Sequence, residues 1–205
     1  MKYLGKPAGM WALFAGSFEK HLTVEFDLTA GQAKDVAARA KKKYREIIAK
    51  LPEFDKRDRF EMNIVNCAML AAFILCMPQR PDIKTLTDYY AAAMMTPTMK
   101  AFCRASGKKK FTPKDIEGMK ATAKLRAGDR NPYSWNMDFF EYEDGSGYEA
   151  RFTTCGICTL MQALGLYDLT PALCHLDYTM SDAGGASDFV REYTLASGGP
   201  YCDCG

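Results

Sequence analysis

Five of the chain's eight cysteines, Cys155, Cys158, Cys174, Cys202 and Cys204, fall in its final quarter, beside His175, one of two histidines, and Asp177. Three chemistries use such residues. A C-G-I-C pair can cycle between dithiol and disulfide, soft donors can hold zinc, and one activated thiolate can attack an electrophilic carbon.

Each reading has a structural requirement. Residues 153–158 read T-T-C-G-I-C, and a strand yielding there to a helix would put Cys155 in a first turn, where free backbone N–H groups stabilise a thiolate. That is the local arrangement of a thioredoxin-type dithiol. A thioredoxin fold, however, needs further strands after the motif, and too little chain follows. A zinc site could draw on Cys155, Cys158, Cys174 and Cys202, but C-x2-C, then C-x2-D, then C-x-C is not the spacing of a ribbon or a finger. For a nucleophile, Cys155 needs a base or orienting group, and His175 and Asp177 are nearest in sequence. His175 reads equally well as a half-exposed histidine on a short helix, and Asp177 as a cap. His21 stands alone and reads as incidental. On an ideal helix Cys155 and Cys158 lie about 60° apart, both turned from the Ile157, Leu160, Met161 and Leu164 stripe.

The elements that must position these groups are legible in outline. Residues 29–50 are rich in helix formers with Val36, Ala37, Ala40, Tyr44, Ile47 and Ile48 near one stripe, and Pro52 ends the run. Residues 59–77 predict a mostly buried helix stopped by Pro78 and Pro81. A third spans about 83–105 with a break near Thr96-Pro97, and a fourth 113–126, opened by Pro113. Aromatic and β-branched runs joined by D-G-S-G predict a hairpin over 134–154. Thr170-Pro171 opens a short helix carrying Cys174 and Asp177. The alternation of D-F-V-R-E-Y-T-L predicts a last strand ending at Cys202 beyond a Gly-Gly-Pro turn. The expected fold is α+β in one domain, 1–205: a helical part over 1–130, then a small antiparallel sheet with packed helices over 131–205.

Composition excludes more than it names. With 27 basic and 25 acidic residues the chain has no field to gather nucleic acid or an anionic membrane. The runs Lys41-Lys42-Lys43 and Lys108-Lys109-Lys110 lack interleaved aromatics and read as solvated faces. The longest apolar run, around Asn66, is too short for a bilayer. The opening M-K-Y-L-G-K-P-A-G lacks a persuasive cleavage site and is not read as a signal peptide. A reducing cytoplasm is therefore expected. Cys67, Cys76 and Cys103, set among alanines and leucines, read as buried hydrophobes.

The pattern C-G-I-C-x-L-x-x-x-L-G-L-x-D-L-x-P-x-L-C-x-x-D, followed by F-x-R-x-x-T-L-A-S-G-G-x-x-C-D, resembles the bacterial L-2-amino-thiazoline-4-carboxylic acid hydrolase family. The resemblance spans Cys155 to Asp203 and rests on Cys155, Gly165, Pro171, Cys174, Asp177, Arg191, Thr194, Gly198, Cys202 and Asp203. It implies hydrolytic opening of a small cyclic amidine-like substrate, 2-aminothiazoline-4-carboxylate, to N-carbamoylcysteine, a hydrolase acting on carbon–nitrogen bonds other than peptide bonds. Water or an enzyme nucleophile must add to the carbon between sulfur and nitrogen, and the leaving thiolate must be protonated. The resemblance assigns Cys155, Asp177 and Cys202 to catalysis, with Arg191, Cys174 and His175 binding substrate and Arg191 taking the carboxylate. The family ordinarily places an aromatic and a basic residue after the cysteine-aspartate pair, where this chain has Cys204-Gly205, so Cys204 reads as an accident of the terminus. The expected partner is a small molecule, without nucleic acid or membrane, and a homo-oligomer is allowed. No cofactor is assigned, and zinc or another divalent metal is the candidate if one is bound. The alternative is a module for sensing a small ligand, similar to vinyl-4-reductase-type domains, with zinc or another divalent metal on Cys155, Cys158, Cys174 and Cys202.

Overall fold

The computed structural model describes residues 6–128 and 130–205. Six helices come first: α1 (Pro7–Glu25), α2 (Ala30–Ile48), α3 (Glu61–Cys76), α4 (Ile83–Met94), α5 (Pro97–Gly107) and α6 (Pro113–Arg126). Then follow β1 (Asp138–Glu141), β2 (Tyr148–Phe152), α7 (Gly156–Ala163), α8 (Thr170–Cys174), α9 (Leu176–Gly184) and β3 (Cys202–Cys204). The sheet is antiparallel in the order β1-β2-β3. The α+β architecture is the expected one.

Local chemistry sets the helix limits. Thr29 caps α2 through a reciprocal box with Gln32, and Asp82, Thr96 and Thr112 cap α4, α5 and α6. The break foreseen at Thr96-Pro97 divides α4 from α5. Helix α3 is apolar on every side and correspondingly central, with Ile64 through Ile74 buried, Cys67 among them. It packs on α2 and, through its other side, on α7, so the site-bearing helix rests directly on the core. Cys76 and Cys103 are also buried, as expected.

Three expectations change. The short helix opened by Thr170-Pro171 divides at His175, so that Cys174 ends α8 and Asp177 lies in α9. The opening segment, weighed above only as a leader, forms α1, which buries Met10, Phe14, Phe18 and Leu22 against the core; residues 1–5 lie outside the description. The alternating run 188–195 does not form a strand, and β3 begins only at Cys202. Its amides are used differently: the Asp203 carboxylate accepts the Glu192 and Tyr193 N–H groups at 2.7 and 2.6 Å. Two consecutive donors that a ladder would alternate between neighbours are thereby drawn to one side chain. Val190 and Gly205 still exchange both backbone hydrogen bonds at 3.1 Å, which fixes the end of the chain beside this segment.

Candidate active site

The end of β2 makes the site's first fixed point. Asn136 Oδ1 accepts the N–H groups of Thr153 and Thr154, and Thr154 Oγ1 accepts that of Asn136, so the ladder stops and the chain turns. Cys155 follows in extended conformation as the N-cap of α7. Gly156 must be glycine for packing: a Cβ there would lie 2.2 Å from the Tyr133 carbonyl oxygen and 2.9 Å from Ile64. The absent side chain lets the first turn of α7 press against the loop after α6.

That loop is held by a buried charge network. Arg126, 1% exposed, donates to the Trp135 carbonyl at 2.9 Å and to Ser134 Oγ at 2.7 Å, and pairs with Asp58 at 3.2 Å. Trp135, which lines the same cavity as Cys155, is thereby set near that residue and is one of the groups that lower the Cys155 thiol. Together with the Cys158 thiol and the backbone N–H groups of Cys158 and Ile157, it stabilises the thiolate. The Cys158 hydrogen bond is the largest contribution, and the thiol is pulled below its ordinary value, to about 7, although burial opposes this. Cys158, as donor, is pushed well up. Burial also raises Cys202 and pushes Cys174 and Cys204 up to about 12. Among the five clustered cysteines, Cys155 alone is lowered and the other four are raised.

Arg191 makes the second fixed point. Its Nε donates to the Asp203 carbonyl at 2.9 Å and its Nη1 to the Cys174 carbonyl at 3.0 Å. Its Nη2 reaches Asp177 Oδ2 at 2.7 Å and Cys204 Sγ at 2.8 Å. The side chain is 6% exposed, so it is no surface salt-bridge residue. Burial works against its charge, but Asp177 and Cys204 outweigh this and strengthen its hold on the proton. One guanidinium thus ties the α8–α9 corner to β3, and all three nitrogens are engaged.

A cavity of about 770 Å³ opens between these points, and Cys155, Cys174, Asp177, Arg191, Cys202 and Cys204 all line it. Two expected members lie elsewhere. Cys158 interacts with Cys155 but is not part of the lining, and His175 is exposed, its ring against Tyr178. The α8–α9 turn carries His175 outward while Cys174 and Asp177, its neighbours along the helix, face the hollow. Cys204, read above as an accident of the terminus, lines the cavity and accepts from Arg191. Lys110, taken for solvated, lines the cavity as well and donates to Ser187 Oγ at 3.1 Å.

Sequence reading missed several lining groups. Asn66 and Tyr90 form a buried pair on the wall, with Tyr90 Oη donating to Asn66 Oδ1 at 2.5 Å. Asn66 interrupts an otherwise apolar buried helix, and that interruption was the available signal. Arg59 lines the cavity and donates to Thr122 Oγ1 at 3.5 Å and Met119 Sδ at 3.7 Å. For metal, the donors do not fit: among the described residues no group of three or more His, Cys, Asp or Glu side chains could hold an ion, and this includes the proposed cysteine set. Among those residues, too, no helix is long and apolar enough to cross a membrane.

The family model described as L-2-amino-thiazoline-4-carboxylic acid hydrolase matches residues 57–205. No curated protein and no solved structure matches the chain.

Proposed function

Because the chain belongs to the L-2-amino-thiazoline-4-carboxylic acid hydrolase family, we propose that it opens a small cyclic amidine-like ring by hydrolysis, with Cys155 as nucleophile. The observation that carries this reading is the placement of Cys155 at a helix N-cap and on a cavity wall, where its surroundings lower the thiol. Cys155 Sγ adds to the ring carbon between sulfur and nitrogen. The carbon–sulfur bond of the ring, and not the carbon–nitrogen bond of the expected reaction class, then breaks, and the departing sulfur takes a proton, leaving an isothiourea on Cys155. Water adds to the same carbon and expels the Cys155 thiolate, so that N-carbamoylcysteine leaves and the net change is addition of one water.

Asp177 moves the proton in this scheme, because Oδ2 is committed to Arg191 and Oδ1 is not. Cys174 and Cys202, as protonated thiols, shape the wall. Arg191 is occupied in holding the site together, so we assign the substrate carboxylate to Arg59, a second guanidinium on the cavity wall whose planar fork suits a carboxylate better than the Lys110 ammonium. Arg59→Gln should raise KM with little change in kcat.

The decisive experiment follows ring opening of 2-aminothiazoline-4-carboxylate by NMR and by titration of the thiol released. Wild-type protein should turn over, and Cys155→Ser should lose activity by about a thousandfold or more. Turnover that survives in Cys155→Ser would remove the nucleophile from this scheme, and no turnover in wild type would remove the substrate.

A further inference from the structure

The cavity is much larger than the ring acid needs. A cavity of about 150 Å³ takes up a benzene molecule, and 2-aminothiazoline-4-carboxylate is one five-membered ring with two small substituents. The space beside Cys155 is about 770 Å³, within the range of about 300–1,000 Å³ that drug-sized ligands fill.

Its walls are also the wrong chemistry for a small polar acid alone. Met10, Met62, Met94, Met99, Met119 and Met180 all line it, one each from α1, α3, α4, α5, α6 and α9. Phe14 and Phe60 add aromatic surface between them. Methionine is unbranched and polarisable, and a wall of such side chains adapts to apolar shapes that vary. Polar catalytic groups and the cation Arg59 share this hollow with the methionines, so one ligand can meet both.

We propose that the substrate is an amphipathic carboxylate, a polar amidine head at Cys155 joined to an apolar body that lies along the methionine wall. The head rests on the reading of Cys155 given above; the body rests on the cavity alone. The ring acid by itself would then be the smallest member of the class that the site accepts.

The test uses 2-aminothiazoline-4-carboxylate bearing butyl, hexyl or octyl groups on its exocyclic nitrogen, with an oligo(ethylene glycol) chain of equal length as control. Calorimetry against Cys155→Ser gives Kd, and protection of wild-type Cys155 from iodoacetamide shows that the ligand occupies this site. Each added methylene should tighten Kd by roughly threefold to fourfold until the space is filled, and the glycol chain should give no such gain. Met62→Gln and Met119→Gln, both at half-buried positions, should flatten the dependence on chain length. A Kd that does not change with chain length, or a gain without protection of Cys155, overturns the proposal. Failure of the catalytic reading looks different: affinity would climb with chain length while no member of the series is turned over.

Discussion

Arg191 Nη2 lies 2.7 Å from Asp177 Oδ2, joining a helix corner to a segment fourteen residues further along the chain. The pair is asymmetric: the guanidinium is buried and the carboxylate about half exposed. Arg191→Ala would leave two carbonyls, the Asp177 carboxylate and the Cys204 sulfur without their shared donor. We expect a loss of about 2–4 kcal/mol, read as a lower urea midpoint at unchanged slope. Arg191→Lys keeps the charge but not the fork, and should recover only a minor part.

Cys155 should be the first thiol alkylated by iodoacetamide, at a rate that rises with pH through about 7 and then levels off. Cys158→Ala removes the largest stabilising hydrogen bond, so the midpoint should move upward. The linked effect on stability has two signs. A thiol lowered by folding contributes stability above its unfolded value, and that contribution disappears as pH falls through about 7. The raised thiols, Cys158, Cys174 and Cys204, contribute below their unfolded value and lose this as pH climbs towards the folded one. Their sum should rise from pH 6 to about 8.5 and decline beyond it, measured by urea unfolding under reducing conditions.

Gly156→Ala should damage the site without touching a reactive group. The new Cβ would overlap the Tyr133 carbonyl, which is backbone and cannot swing aside. Relief requires α7 to back away from the Trp135 loop, which moves Cys155 away from one of the groups that lower its thiol. A cost of about 1–3 kcal/mol is expected from overpacking. A higher midpoint for alkylation of Cys155 in the folded fraction would show that the separation has occurred.

Much of the scaffold is written locally. The threonine and aspartate caps, the Thr96-Pro97 break and the strand-to-helix change at Cys155 each depend on a few neighbouring residues, and the sequence shows them. The site's assembly is not local. Nothing near Arg191 announces that it will bridge Cys174 and Cys204, nor does Arg126 announce that it will carry Trp135 to Cys155. Those partners meet only through tertiary packing. Helix α1 was obscured by its lysine and glycine lead, and its identity rests on the buried faces of Phe14 and Phe18.

The alternating run before the final turn misled for an instructive reason, and it yields the last prediction. Several residues of the family pattern there serve the backbone. Thr194 Oγ1 caps the turn Leu195–Ser197, Gly198 takes positive φ, Cys202 Sγ accepts the Leu195 N–H at 3.2 Å, and Asp203 gathers the N–H groups of Glu192 and Tyr193. A residue pattern of this kind looks catalytic until its hydrogen bonds are followed. Asp203→Asn keeps one acceptor and the size of the side chain but loses the charge that strengthens both bonds. It should cost about 1–3 kcal/mol in urea unfolding, while alkylation of Cys155 in the folded protein keeps its midpoint near pH 7. Asp203→Ala should cost more and loosen β3, because neither amide then has a partner. A shifted Cys155 midpoint in Asp203→Asn at full stability would instead make Asp203 part of the reacting centre.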